Sequence, residues 1–194
     1  MTIILASASP RRREILSALG VEFTVRTADA DETCDLTDPG QRVEAISAQK
    51  CLAVRDLLTA EGTLEPDTLI LASDTLVTLD GEFLGKPRDE EQARSMLRML
   101  QGRTHTVASG LAILQGDRLI TAHELTGVAF ASMTDSEIEA YLATGESYGK
   151  AGAYAIQGYA SRYISGIQGD YFNVVGLPVR CLYETLRDQF GIIL

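Results

Sequence analysis

The sequence predicts a mixed-sheet α/β fold. Three observations carry this. Strand-like apolar runs alternate with helical patterns along the 194 residues. Several helical patterns open on residues suited to a cap or first turn, at Ser9-Pro10, Asp89 and Thr134. Two tight turns, Asp80-Gly81 and Gly116-Asp117, join apolar segments as hairpins, so the sheet is not purely parallel.

Taken in order, Thr2 to Ala6 reads as a short strand. Ser9 is placed as an N-cap, Pro10 suits the first helical position, and the helix runs to Leu19 before Gly20 ends it. Ile15, Leu16 and Leu19 form its apolar face. "VEFTVRT" alternates like a strand. The acidic stretch "ADADETCDLTDPG" reads as a loop, and a long helix covers Pro39 to Leu58. "TLILA" is a buried strand, followed by "DTLVTLDGEFLG" as a hairpin. A helix opened by Asp89 ends near Gln101-Gly102. Two long strands then meet at Gly116-Asp117. Thr134 and Glu137 make a capping box for "DSEIEAYLAT". The segment Gly145 to Gly176 is Gly-rich and irregular, and Pro178 starts the last helix, which ends near Phe190-Gly191. The length suits one domain or two tightly joined lobes, and no repeat or linker divides the chain, so residues 1–194 read as a single domain.

Composition narrows the function. A formal net charge of -10 argues against non-specific binding to nucleic acid or to an acidic membrane surface. No apolar run approaches the roughly 20 residues of a membrane span, and the N-terminus lacks a signal-peptide apolar region. Three widely spaced cysteines, without a C-x-x-C pair, suggest a reduced, cytoplasmic setting. With two histidines and 27 acidic residues, a bound metal would be held by carboxylates, which favours magnesium or manganese. Three lysines stand against fourteen arginines, so each lysine draws attention.

The opening "IILASASPRRREILSALG" runs from a strand through small hydroxyl residues into a helix that begins with Arg11, Arg12 and Arg13. Cations are repelled at a helix N-terminus. Free backbone N–H groups there, with guanidinium forks beside them, suit a phosphate. Two readings stand: an anion site, or an exposed basic turn balanced by Glu14 and the acidic loop. Lys50 lies within about 20° of Val43 and 40° of Ile46 on the helical wheel, inside an apolar stripe. It either snorkels to water or reaches a buried anion. Asp74, placed after "LILAS" at the end of a buried strand, is either a ligand-facing carboxylate or a turn former. Asp31-Glu32 offers a second carboxylate for a cation. "GESYGKAG" is not a P-loop: only three residues, not four, separate Gly145 from Gly149, and Ala151 follows Lys150 where a hydroxyl is needed.

Together these blocks resemble a known family. "SASPRR" is similar to the S-x-S-P-R-R signature of the Maf family of nucleoside triphosphate pyrophosphatases. The blocks "DE" at Asp31-Glu32, "AQKCLAV", "ASDTLV", "LGKPRD", "LQGRTHTVASG" and "KAGAYAIQG" follow in the family's order and spacing. The resemblance implies an elongated two-lobed α/β fold with a central cleft, shared with inosine triphosphate pyrophosphatases. It implies hydrolysis of a nucleoside triphosphate to the monophosphate and pyrophosphate, with Mg²⁺ or Mn²⁺. Asp74, Glu32, Lys50 and Lys86 would serve the chemistry, Asp74 and Glu32 also as metal ligands. Ser7, Arg11 and Arg12 would bind the phosphates. Arg11, Thr75 and Gln157 match the branch resembling dTTP and UTP enzymes, and modified pyrimidine nucleotides belong to the same substrate class. The resemblance also implies a homodimer. Two departures stand out: Ser73, where Ala is common, and the apolar "ELTGVAF". A non-catalytic nucleotide-binding regulator of cell division is the alternative function, but it would not need Asp74 and Glu32.

Overall fold

The computed structural model describes residues 2–194. The chain begins with strand β1 (Ile3–Leu5), helix α1 (Pro10–Ala18), strand β2 (Thr24–Val25) and helix α2 (Pro39–Glu61). Strand β3 (Leu69–Leu79) turns back into β4 (Glu82–Leu84), and helix α3 (Glu90–Leu100) follows. Two long strands, β5 (Thr104–Gln115) and β6 (Arg118–Phe130), lead to helix α4 (Asp135–Leu142). Strand β7 (Ile164–Gln168) and helices α5 (Tyr171–Val175) and α6 (Val179–Thr185) complete the order. A π-helical turn, Leu186–Phe190, continues α6.

Among the described residues the strands form a mixed seven-stranded sheet in the order β2-β1-β3-β5-β6-β7, with β4 paired to β3. β1 pairs in parallel with β2 and β3, setting Leu5 opposite Val25 and Leu71. β4 and β7 pair antiparallel to β3 and β6. The two-residue connection between β5 and β6 is one that only antiparallel neighbours allow. No helix among the described residues is long and apolar enough to cross a membrane.

The chain forms two compact units. The first holds the chain through Asp74, Ser109–Glu124 and Gly176–Leu194. Its core packs Ile4, Ile70 and Ala72 of the strands against Cys51, Val54 and Leu58 of α2. α2 lies close upon β5 because Gly110 carries no side chain: a Cβ there would run into the Val43 carbonyl. The second unit holds Thr75–Ala108 and Leu125–Val175. There α3 buries Ala93, Met96, Leu97 and Leu100, and α4 buries Ile138, Tyr141 and Leu142. Arg94 on α3 meets Glu139 on α4 at 2.5 Å and, on its own helix, Glu90 at 2.9 Å.

Several expectations shift. "TLILA" and the first arm of the hairpin are one continuous strand, so Asp74 sits within β3 and not beyond a strand end. The reason is local: Ser73 and Asp74 have partners for their polar groups, and Thr75, Val77 and Thr78 are β-branched residues suited to extended backbone. The turn itself is as expected, with Asp80 at φ 52° and Gly81 at φ 83°, the two positive values of a type I′ turn. "VEFTVRT" contributes only Thr24–Val25, paired with the short β1. Leu19 is 39% exposed and does not join the buried face of α1. β7 and α5 lie inside the segment expected to be irregular.

Candidate functional site

In the first unit, β1 ends at Leu5 and the chain turns through Ser7 and Ser9 into α1. Ser9 stands at the N-cap in extended conformation, but its side chain makes no cap bond. No acidic residue occupies the first turn of α1, so the positive end of this helix is not neutralised there. Ser7 is buried, and its Oγ accepts from Arg12 Nη1 at 2.9 Å and from the Ser9 N–H at 3.3 Å. Arg12 Nε donates to the Gly176 carbonyl at 2.8 Å. Ser73 Oγ donates to the same carbonyl at 3.2 Å, which explains how a hydroxyl is tolerated at this fully buried position. Part of Arg12 stays accessible, yet its surroundings desolvate the guanidinium. That desolvation pulls its pKa below the ordinary value, and the nearby charges of Asp74 and Glu32 oppose the shift. Arg12 is therefore fixed, charged and close to the acidic pair. Arg11 is partly exposed on the same turn, and Arg13 is exposed.

Lys50 answers the question its position raises. From α2 its Nζ reaches Asp74 Oδ1 at 2.6 Å and Glu32 Oε2 at 3.2 Å. Its ammonium thus meets two carboxylates. Lys50 and Asp74 each expose 17% of the side chain, against 57% for Glu32. The Lys50–Asp74 pair is thus largely withdrawn from solvent, and Glu32 faces it. One ammonium gathers both carboxylates, which are separated by no more than the sum of the two distances.

Glu32 has no secondary structure to hold it, so other contacts do so. Asp31 Oδ1 accepts from the Thr33 N–H at 3.0 Å and Thr33 Oγ1 at 2.7 Å, which lowers the Asp31 pKa. Asp31 is engaged locally and Glu32 is the acid that reaches Lys50. Arg42 Nη1 donates to the carbonyls of Cys34 and Leu36, and Gln49 Nε2 to that of Thr33 at 3.3 Å. The roles of Gly176, Arg42 and Gln49 were not found from sequence, since carbonyl acceptors and loop ties leave no motif. Next to Lys50, Cys51 is fully buried, its Sγ lies 3.1 Å from the Ala112 carbonyl, and burial pushes its thiol up to about 12. It is a packing residue and not a nucleophile.

The other residues singled out from the sequence lie in the second unit. Thr75 follows Asp74 within β3 and is partly buried. Lys86 is exposed just after β4. Gln157 is exposed between two short 3₁₀ turns, Ala151–Ala153 and Tyr159–Tyr163. Lys150 Nζ points to the Tyr148 carbonyl at 3.4 Å.

Chemically, the first unit sets cations at Arg12 and at the start of α1 near two carboxylates that share Lys50. Oxygen-only donors suit Mg²⁺ or Mn²⁺. Among the described residues no cluster of three or more His, Cys, Asp or Glu side chains forms a complete cation site. Two carboxylates with substrate phosphates supplying further oxygens is an ordinary way for Mg²⁺ to be held, so the donor set fits such an ion.

A protein of Pelotomaculum thermopropionicum named dTTP/UTP pyrophosphatase is 47% identical over 193 residues, covering 97% of this chain and 96% of that one. A Moorella thermoacetica protein of the same name is also 47% identical, covering 98% and 95%. One from Caldanaerobacter subterraneus is 41% identical, covering 99% and 91%. Among solved structures, the Staphylococcus aureus Ham1 protein is similar over 68% of this chain and 72% of that one, with a TM-score of 0.48 and 16% identity. The sequence profile described as Maf-like protein matches residues 2–189, nearly the whole chain, and with relatives this similar the chain belongs to the Maf family.

Proposed function

We propose that the chain hydrolyses UTP and dTTP to the nucleoside monophosphate and pyrophosphate. The observation that carries this reading is the Lys50 ammonium holding Asp74 and Glu32 together near the desolvated Arg12. The names of the full-length relatives support the same substrates. Modified pyrimidine triphosphates with the same base edge fall within the proposal. A role confined to nucleotide binding would need the cations but not a gathered pair of carboxylates.

The residues divide the work as follows. Ser7, Arg11, Arg12 and the N-terminal N–H groups of α1 bind phosphate oxygens. Asp74 takes a proton from the attacking water. The water oxygen bonds to the α-phosphorus, the bridging P–O bond breaks, and its electron pair leaves with pyrophosphate. Lys50, Lys86 and the arginines stabilise charge growing on the oxygens. Asp74 and Glu32 would hold Mg²⁺ or Mn²⁺, which supplies positive charge for the phosphates and makes bound water easier to deprotonate. Arg11, Thr75 and Gln157 set the preference for a pyrimidine. Homodimerisation, implied by the family resemblance, and a cytoplasmic location, suggested by the three unpaired cysteines, complete the proposal.

The test is a panel of nucleoside triphosphates with purified protein and Mg²⁺ or Mn²⁺, reading pyrophosphate and orthophosphate separately. Pyrophosphate released fastest from UTP and dTTP is the expected result. Stepwise orthophosphate, or no turnover with tight nucleotide binding, would overturn it.

A further inference from the structure

The stretch "GESYGKAG" fails as a P-loop, yet its Glu146 holds a definite position in the second unit. Glu146 Oε1 accepts the N–H of Tyr159 at 3.1 Å, and Oε2 accepts that of Ala160, also at 3.1 Å. Both oxygens of one carboxylate are thus spent on backbone just beyond Gln157-Gly158. Gly158 has φ 104° and ψ -147°, a conformation open to glycine and costly for other residues. A Cβ at Gly158 would also overlap Glu146 Oε1. The carboxylate therefore lies directly against the turn, and glycine leaves room for it.

The flanks are fixed too. Upstream, Tyr154, Ala155 and Ile156 are buried. Downstream, Ser161 Oγ donates to the Gly158 carbonyl at 2.6 Å and Arg162 Nε to that of Tyr159 at 3.1 Å. Glu146 is itself steadied by Thr144 Oγ1, which accepts its N–H at 3.2 Å. Gln157 is the first exposed side chain after the buried run, two residues before the backbone that Glu146 fastens.

We propose that Glu146 is a positioning residue for base recognition: its carboxylate sets the backbone from which Gln157 reads the pyrimidine. The inference rests on the base-reading role given to Gln157 above. A charge-assisted bond from a carboxylate to a backbone N–H is stronger than a neutral one. Two of them on adjacent residues fix orientation as well as distance.

The experiment compares kcat and KM on UTP and ATP for the wild type, Glu146→Ala, Glu146→Gln, Gln157→Ala and the Glu146→Ala/Gln157→Ala double variant, with melting curves for each. Glu146→Ala should raise KM for UTP about tenfold while kcat stays within about twofold and kcat/KM for ATP is unchanged. Glu146→Gln keeps one acceptor and should fall between; it carries the test if Glu146→Ala does not fold. The double variant should discriminate no worse than Gln157→Ala alone, because a residue that acts through another has no effect once the other is gone. Equal losses on UTP and ATP, or additive losses in the double variant, would overturn the inference. Gln157→Ala with an unchanged UTP to ATP ratio removes the base-reading role and this inference with it. A ratio that collapses in Gln157→Ala but survives in Glu146→Ala removes this inference alone.

Discussion

Asp74 shares one ammonium with Glu32, and this fixes what each substitution should do. Asp74→Asn preserves shape and can still accept from Lys50, but it loses the charge needed to take a proton. It should lower turnover by about 10²–10⁴-fold, as steady-state rates on protein shown to be folded by calorimetry would measure. A folded variant with near-normal turnover removes Asp74 from its role. At Gln157 the argument is one of hydrogen bonds. Thymine and uracil present N3–H between two carbonyls, and a Gln amide offers both donors and an acceptor. Glutamate offers acceptors only and faces a carbonyl with repulsion. Gln157→Glu should therefore weaken UTP and dTTP hydrolysis more than hydrolysis of other triphosphates; equal loss on every nucleotide would make it a loop-holding residue. Much of this scale was legible in sequence. A lysine inside an apolar stripe had to snorkel or meet an anion, and Lys50 meets two. Arg42, Gln49 and Gly176 were not legible, because their contacts join distant segments through carbonyls that carry no sequence signal.

Elements were legible where chain-local chemistry decides them. Asp89 and Thr134 cap α3 and α4, the latter with Glu137 in a full capping box. β3 was misjudged because the Ser73-Asp74-Thr75 run resembles a turn until its partners are known. β7 and α5 escaped because their Gly-rich surroundings hide short elements that need tertiary partners, here the pairing of β7 with β6. One close helix-to-strand approach that bears on the site is that of α2 to Gly110 in β5. A methyl group there meets backbone of Val43 and Glu44, which cannot swing aside as a side chain would. Gly110→Ala should push α2 off β5 at a cost of about 1–3 kcal/mol. Since α2 carries Lys50, activity should fall as well. Urea unfolding combined with an activity assay checks both, and an unchanged midpoint would refute the packing argument.

Across the whole molecule, acid should act through His105 in the second unit. His105 is 2% exposed, its Nε2 lies 2.8 Å from Tyr154 Oη, and Nδ1 has no hydrogen-bond partner among the described residues. Burial lowers its pKa from 6.5 to about 4. The unfolded chain therefore binds a proton that the native state refuses between those values. Stability from neutral His105 is complete above about pH 6.5 and is lost as pH falls toward 4, by roughly 3 kcal/mol in total. His105→Gln should flatten the difference in melting temperature between pH 7 and pH 4; an unchanged slope would show that His105 does not govern it. The alternation of strands and helices was readable along the chain, and the family resemblance implied two lobes; where the two compact units divide was not readable, because β3, β5 and β6 each contribute residues to both. In the proposed reaction, water attacks the α-phosphorus of a pyrimidine triphosphate under the control of Asp74, Glu32 and Lys50. Hydrolysis of UTP in water labelled with heavy oxygen, followed by mass spectrometry of both products, tests it most directly. Label should appear in UMP and not in pyrophosphate; label in pyrophosphate, or orthophosphate as the first product, would rule out attack at the α-phosphorus.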